Sequence, residues 1–292
     1  MTDVSMIFDR RLQRKRRDRV AHCFDEYDFL KIDAAERVAD RLADMARPFP
    51  LVLDLGCHNG LLRSVLQGRG GIERLIQTDS SAAMLAHAQG VRVRCDEELL
   101  PFADNSFDAV LSIASLHGVN DLVGTLIQIR RILKPDGLLI AILPGARSLQ
   151  ELRMSFAAAE SASSQGMSPR VSPFMDVRDA GALLQRTGFA LPVVDSDMLE
   201  ITYAHPLQLM RDLRGMGEAN SLLEQSRRIL PKAFMAQMCA YYTQHFASAD
   251  EAQRVRASIE WVTLTAWKPH ASQQQPAKRG SGTLSLAKAF TS

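Results

Sequence analysis

Three acids, Asp54, Asp79 and Asp96, each stand at or just after the end of a short apolar run, in L-V-L-D-L-G, I-Q-T-D and V-R-C-D. A carboxylate so placed can offset a cation or accept hydrogen bonds from hydroxyl and amino groups. The first acid opens the loop D-L-G-C-H-N-G, where Asp54, Gly56 and Gly60 give the spacing D-x-G-x-x-x-G. Gly56 permits a sharp exit from a strand. A helix opening near Gly60 would offer free N–H groups to a carboxylate. His58 stands mid-loop, and histidine is one of the few non-glycine residues that tolerate positive φ.

This spacing separates cofactor classes. A dinucleotide loop, G-x-G-x-x-G, would need glycine at positions 56, 58 and 61, and the last two are His58 and Leu61. The missing middle glycine is the one that lets backbone approach a pyrophosphate. No G-K-[ST] follows, so a phosphate-cradling loop of the other common kind fails as well. S-adenosylmethionine (SAM) has no pyrophosphate and offers a carboxylate, an ammonium, a sulfonium and an adenosine. On this reading Asp54 helps hold the ammonium, Asp79 accepts the ribose hydroxyls and Asp96 receives the adenine amino group. Asp79 alone does not discriminate, because nicotinamide-cofactor folds also place an acid there.

The elements that must carry these residues alternate. Strands are expected at 51–55, 74–78, 91–95, 107–113 and 137–143, with helices at 61–68, 80–88 and 121–134 between them. Short apolar strands separated by helices call for an α/β fold, a parallel sheet with helices on both faces. Ahead of them, Ile32, Ala35, Val38, Ala39, Leu42 and Met45 recur at helical spacing until Pro48 and Pro50. L-K-P-D-G reads as a turn before the fifth strand, with Pro135 fixing φ and Gly137 taking an unusual dihedral. Further on come a helix to about 160, a loop S-P-R-V-S-P-F and a helix at 176–187. Strands at 191–203 and 257–267 flank a helical block from 206 to 246. The organisation expected is a helical segment over 1–47, a cofactor-binding domain over 48–268 and a polar tail over 269–292, with little fixed structure of its own.

Composition bounds the function. The 292 residues hold 35 basic and 33 acidic side chains, a net charge of +2 that gives no global field for nucleic acid or a membrane surface. The longest apolar segment, Leu138 to Leu143, is far too short for a membrane span. Cys23, Cys57, Cys95 and Cys239 are scattered, which suits reduced thiols rather than a disulfide frame or zinc site. No metal site is legible. With no signal peptide or presequence pattern at the start, the expectation is a complete cytoplasmic protein. The basic run R-R-L-Q-R-K-R-R-D-R at 10–19 is expected to be a solvated helix face, with a docking site for an acidic partner as the other reading.

Taken in order, D-L-G-C-H-N-G, Asp79, D-E-E-L-L-P-F after the third strand, S-F-D-A-V and L-K-P-D-G resemble the class I SAM-dependent methyltransferase family across residues 50–145. The resemblance implies a Rossmann-like, seven-stranded sheet with added C-terminal helices, and SAM held by Asp54, Gly56, His58, Gly60, Asp79 and Asp96. The family's usual loop has glycine where His58 sits. I-F-D-R-R-L-Q-R-K-R-R, S-L-H-G-V-N-D-L, S-P-R-V-S-P-F, L-M-R-D-L-R-G-M-G-E-A-N and W-K-P-H…P-A-K-R-G-S-G-T are similar to one branch. That branch holds a mitochondrial complex I assembly factor acting as a protein arginine hydroxylase, and its bacterial relatives. A protein substrate, a complex I subunit, is what this implies, with membrane association only through that partner. A carrier-protein O-methyltransferase of biotin synthesis is a more distant relative. Methyl transfer to a protein or a carrier-bound carboxylate, and non-catalytic SAM binding by an assembly chaperone, stay open as alternatives.

Substrate chemistry is expected at the carboxyl ends of the strands. His117, just past the fourth strand, is the candidate base or orienting group, or else a histidine packed at the loop edge. Asn120 and Asp121 read as helix caps, Met84, Trp261 and Trp267 as packing, and the block 206–246 as an extra layer or a substrate lid.

Overall fold

Alternation along the strands assigns each apolar side chain to one of two layers. In the computed structural model, which describes residues 6–162, 167–226 and 229–274, the strands are β1 (Leu51–Leu55), β2 (Arg74–Asp79), β3 (Val91–Arg94), β4 (Phe107–Ile113), β5 (Leu133–Pro144), β6 (Ala190–Tyr203) and β7 (Val255–Trp267). They form one sheet in the order β3-β2-β1-β4-β5-β7-β6. β1 to β5 run parallel, and β7 inserts antiparallel between β5 and β6.

The helices are α1 (Arg10–Val20), α2 (Phe29–Ala43), α3 (Leu61–Leu66), α4 (Ala82–His87), α5 (Leu122–Ile132), α6 (Gln150–Ser161), α7 (Val177–Arg186), α8 (Pro206–Gly215) and α9 (Lys232–His245). On one face Val52, Leu111, Leu138, Ile140 and Ile142 pack with residues of α2, α6, α8 and α9. On the other, Leu53, Leu55, Val110, Leu139 and Leu143 pack with α5 and α7. The period of two along each central strand thus builds both layers. Chain order reverses between β1 and β4, and the crevice beyond their carboxyl ends is where open α/β sheets bind ligands. The fold is the α/β architecture expected, with all seven strands present.

Three local expectations change. β5 begins four positions early because Leu133 already pairs with Phe107, and the K-P-D-G turn becomes an irregularity within the strand. Asp136, not Gly137, takes the left-handed conformation there, at φ +61°. The reason is that β7 clamps this bend: Asp136 N–H donates to the Lys268 carbonyl and Lys268 N–H to the Gly137 carbonyl. The block 206–246 resolves into α8 and α9 with a connection between them. Of the tail, 275–292 lies outside the described residues, and Gln273 Nε2 donates to Asp136 Oδ1 at 2.8 Å. No described helix is long and apolar enough to cross a membrane.

Candidate functional site

The loop after β1 is fixed by its neighbours before any ligand is considered. Gly56 and Cys57 N–H groups both donate to the Thr78 carbonyl at 2.8 Å, which ties the loop to the end of β2. Gly56 takes φ +73°, and a Cβ there would lie 2.0 Å from Ser115 Oγ, so the position admits only glycine. Gly60 takes φ +83° and begins α3. His58 adopts φ +53° as its residue type allows.

Asp79 is the hub of this loop. Its Oδ2 accepts the His58 N–H at 3.1 Å and its Oδ1 the Ser81 N–H at 2.7 Å. Burial pushes its carboxyl upward, against the pull of Arg17. Asp54 is also buried, and its Oδ2 has no hydrogen-bond partner. Burial raises that carboxyl to about 8, with the Gln77 amide opposing the rise and the charge of Asp79 adding to it.

The basic run requires a correction. Much of it does face solvent, but Arg17 is buried and Arg10 nearly so, because both point into the crevice. Arg17 Nη1 lies 3.7 Å from Asp79 Oδ2 and 3.3 Å from Glu97 Oε1. Arg10 Nη2 donates to Asp96 Oδ1 at 2.7 Å and also to Glu97 Oε2. Glu97 Oε1 accepts the Ser115 hydroxyl at 2.7 Å. Burial would raise the Glu97 carboxyl, but Arg10 and Arg17 overcome this and hold it at about 2. Seven residues separate the two arginines, two helical turns, so one face of α1 carries both.

The connection after α8 locks α1 over the site. Arg16 donates to the carbonyls of Ala219 and Asn220, and Gln13 Nε2 to Ser221 Oγ at 3.1 Å. The same connection delivers Glu218, whose Oε1 lies 3.0 Å from Lys31 Nζ and whose Oε2 lies 3.1 Å from His117 Nε2. Lys31 comes from α2 and is fully enclosed. Its ammonium also contacts His58 Nε2 at 2.9 Å and the Ala114 carbonyl at 3.2 Å. Burial lowers the Lys31 amine, and burial plus the adjacent Lys31 and Arg17 charges keep His58 well below its ordinary range. Burial would raise the Glu218 carboxyl, yet Lys31 and His117 carry it well below the usual range.

Of the residues anticipated from sequence, Asp54, Gly56, His58, Gly60 and Asp79 lie at or around the loop after β1. Asp96 pairs with Arg10, and His117, beyond β4, pairs with Glu218. Asp121 caps α5, accepting the Gly124 N–H at 2.7 Å. Asn120 is no cap: its Oδ1 accepts the Ile7 and Phe8 N–H groups and anchors the N-terminal segment. Arg10, Arg17, Lys31, Glu97 and Glu218 were missed. The helical spacing of Arg10 and Arg17 and the doubled acids of D-E-E were the available signals; Lys31 and Glu218 gave none, since tertiary packing alone brings them together.

The residues fit SAM chemically. The unpartnered Asp54 Oδ2 is a buried acceptor suited to a cationic group. A carboxylate has about four acceptor positions, so Asp79 keeps capacity for hydroxyls beside its two N–H donors once Arg17 gives way.

Known proteins share sequence and fold with this chain. Residues 53–141 match the model of a methyltransferase domain. Arginine-hydroxylase NDUFAF5, mitochondrial, of Danio rerio is 40% identical over 288 residues, which cover 96% of this chain and 88% of that protein. Malonyl-acyl-carrier-protein O-methyltransferase of a Methylovorus species is 32% identical, over 94% of this chain and 95% of its own. Phosphoethanolamine N-methyltransferase 2 of Haemonchus contortus, solved with S-adenosyl-L-methionine, shares the fold with a TM-score of 0.52 at 16% identity. That match covers 86% of this chain and 57% of the other.

The expectation of a cytoplasmic protein is corrected by the first of these. A relative matched along nearly the whole chain is named as mitochondrial, against the cytoplasmic expectation. Scattered thiols and a lack of apolar spans do not distinguish the two compartments, and for that reason the sequence pattern misled. The chain is an enzyme of the methyltransferase-fold family that includes the arginine-hydroxylases NDUFAF5.

Proposed function

We propose that this chain binds SAM in the crevice beyond the carboxyl ends of β1 and β4 and modifies an arginine side chain of a respiratory complex I subunit by adding one oxygen. The observation that carries the reading is the 40% identity to an arginine-hydroxylase over 96% of the chain, outside as well as inside the methyltransferase domain. Asp54 would face the ammonium of the cofactor, the 56–60 loop its carboxylate, Asp79 the ribose and Asp96 the adenine. When bound, SAM supplies a sulfonium-activated methyl group. Oxygen addition draws in addition on an oxidant, with an electron donor where that oxidant is molecular oxygen.

The chain's own contribution is enclosure and charge placement. α1 and the 216–223 connection cover the crevice and exclude water, which strengthens every charge inside. His117, on Glu218, lies where a side chain entering past β4 would pass, and there it orients the substrate.

A second reading, methyl transfer to a protein or to a carrier-bound carboxylate, is favoured by the likeness to the malonyl-acyl-carrier-protein O-methyltransferase. Tandem mass spectrometry of complex I subunits from cells with and without this gene separates them. Loss of one oxygen from an arginine is expected. Loss of a methyl group from a subunit supports methyl transfer to a protein, and no change on any subunit sinks the arginine reading, leaving carrier-bound carboxylate methylation or a non-catalytic assembly role.

A further inference from the structure

Beyond β4, with Lys31 in its lining, lies a small cavity of about 70 Å³, walled in part by Leu30, Met216, Phe174, Ile259 and Trp261. Its wall is mostly apolar, with Ser148, Ser172, Glu218, His117 and Lys31 as the polar members. Of the two paired charges in its lining, Glu218 is the more accessible, its side chain 25% exposed against 2% for Lys31. Each carboxylate oxygen of Glu218 has one partner, Lys31 Nζ at 3.0 Å and His117 Nε2 at 3.1 Å. With two acceptor positions per oxygen, one on each stays free. That is the arrangement a planar fork of N–H donors meets.

Phe174 also lines a larger surface groove of about 720 Å³, together with Ile7, Phe156, Met167, Val171 and Leu222. Met167 and Ile7 are exposed along it. The groove and the cavity therefore share one aromatic wall, and a chain lying in the groove could turn one long side chain inward past Phe174.

We propose that Glu218 is the recognition carboxylate for the substrate guanidinium, and that the groove seats the apolar polypeptide flanking that arginine. The assignment rests on the arginine-modification reading above and deepens it. Trp261 and Phe174 fit the flat, weakly hydrated guanidinium and its alkyl stem better than a compact ammonium. His117 thereby becomes a positioning residue, fixing the plane of the Glu218 carboxylate. Lys31 holds the other oxygen and keeps the carboxylate ionised.

The test uses the full chain and two acetylated, amidated heptapeptides with leucines on either side of a central arginine or of its neutral isostere citrulline. Binding is followed by Trp261 fluorescence in a Trp267→Phe background, which leaves a single tryptophan. The arginine peptide should bind at least about tenfold more tightly than the citrulline peptide, and Glu218→Gln should abolish that preference. Because the wild-type comparison needs no substitution at the site, poor folding of Glu218→Gln cannot mask the result. Equal affinity, no binding of either peptide, or a preference that survives in a folded Glu218→Gln protein overturns the assignment. Failure of the functional reading shows separately, as an absent arginine modification in the gene-deletion comparison.

Discussion

Arg17 Nη1 lies 3.7 Å from Asp79 Oδ2, so the N-terminal helix contacts the acid that ends β2. The same guanidinium reaches Glu97 at 3.3 Å. The acid assigned to a cofactor hydroxyl pair therefore already has a cation beside it, and the basic run and the acidic strand ends form one electrostatic unit.

Replacing Arg17 by Met keeps the buried stem but removes the charge, leaving Glu97 and Asp79 short of a counterion. Breaking a buried pair from one side costs about 3–5 kcal/mol. Chemical unfolding of the ligand-free protein should show a loss of that order. A change below about 1 kcal/mol would mean that water already serves these carboxylates.

Asp79→Asn tests the cofactor assignment. Asparagine retains an acceptor for only one of the His58 and Ser81 N–H groups and gives up the charged hydrogen bonds to ribose, each worth roughly 1.5–3 kcal/mol. Calorimetry should find SAM affinity lowered at least about tenfold with the fold intact, and NADH should bind neither protein comparably. Undiminished SAM affinity would remove Asp79 from the site.

Asp54 makes stability depend on pH in a definite direction. Its folded-state carboxyl titrates at about 8 against an ordinary 3.8, so between those values the folded chain holds a proton that the unfolded chain has released. Its stabilising effect is full below the lower value and is lost as pH rises through the upper one, with a slope of up to about 1.4 kcal/mol per pH unit. Asp54→Asn should gain on wild type steadily from pH 4 to 8 in ligand-free unfolding experiments. A constant difference across that range would show the carboxylate to be solvated. SAM binding near pH 7 should release a proton as its ammonium ionises Asp54, measurable by calorimetry in buffers of different ionisation enthalpy.

What the sequence revealed depended on how local each signal was. Strands β1 and β4 fell at their expected bounds because apolar runs of that length, stopped by glycine or polar residues, have few other solutions. The glycine loop was legible because the φ values at Gly56 and Gly60 are dictated by local backbone sterics. Arg10 and Arg17 were read as surface because charge density in a run predicts solvent, whereas their burial depends on acids about 60 to 90 positions away. Glu218 lies in a connection without periodicity, and nothing near it in sequence reveals Lys31 or His117 as partners.

His58 poses the remaining question about the loop, and magnitudes decide the expected answer. Glycine would relieve the cost of φ +53°, about 1–2 kcal/mol at most for an L-residue and less for histidine. Against that, His58 is buried and stacked on Phe24 at a centroid distance of 5.7 Å. It is also the 2.9 Å partner of the buried Lys31 ammonium. Deleting a buried ring costs about 3–5 kcal/mol, and the acceptor lost from Lys31 adds about 1–3 kcal/mol. His58→Gly should therefore destabilise the ligand-free protein by at least about 2 kcal/mol, although it restores the residue that related loops carry. Since the His58 N–H to Asp79 bond is a backbone contact, glycine keeps it, and SAM affinity measured well below the melting temperature should change by less than about tenfold. A stabilised His58→Gly protein would show that backbone strain outweighs the Phe24 and Lys31 contacts. A collapse of SAM affinity in a folded variant would place the imidazole itself against the cofactor.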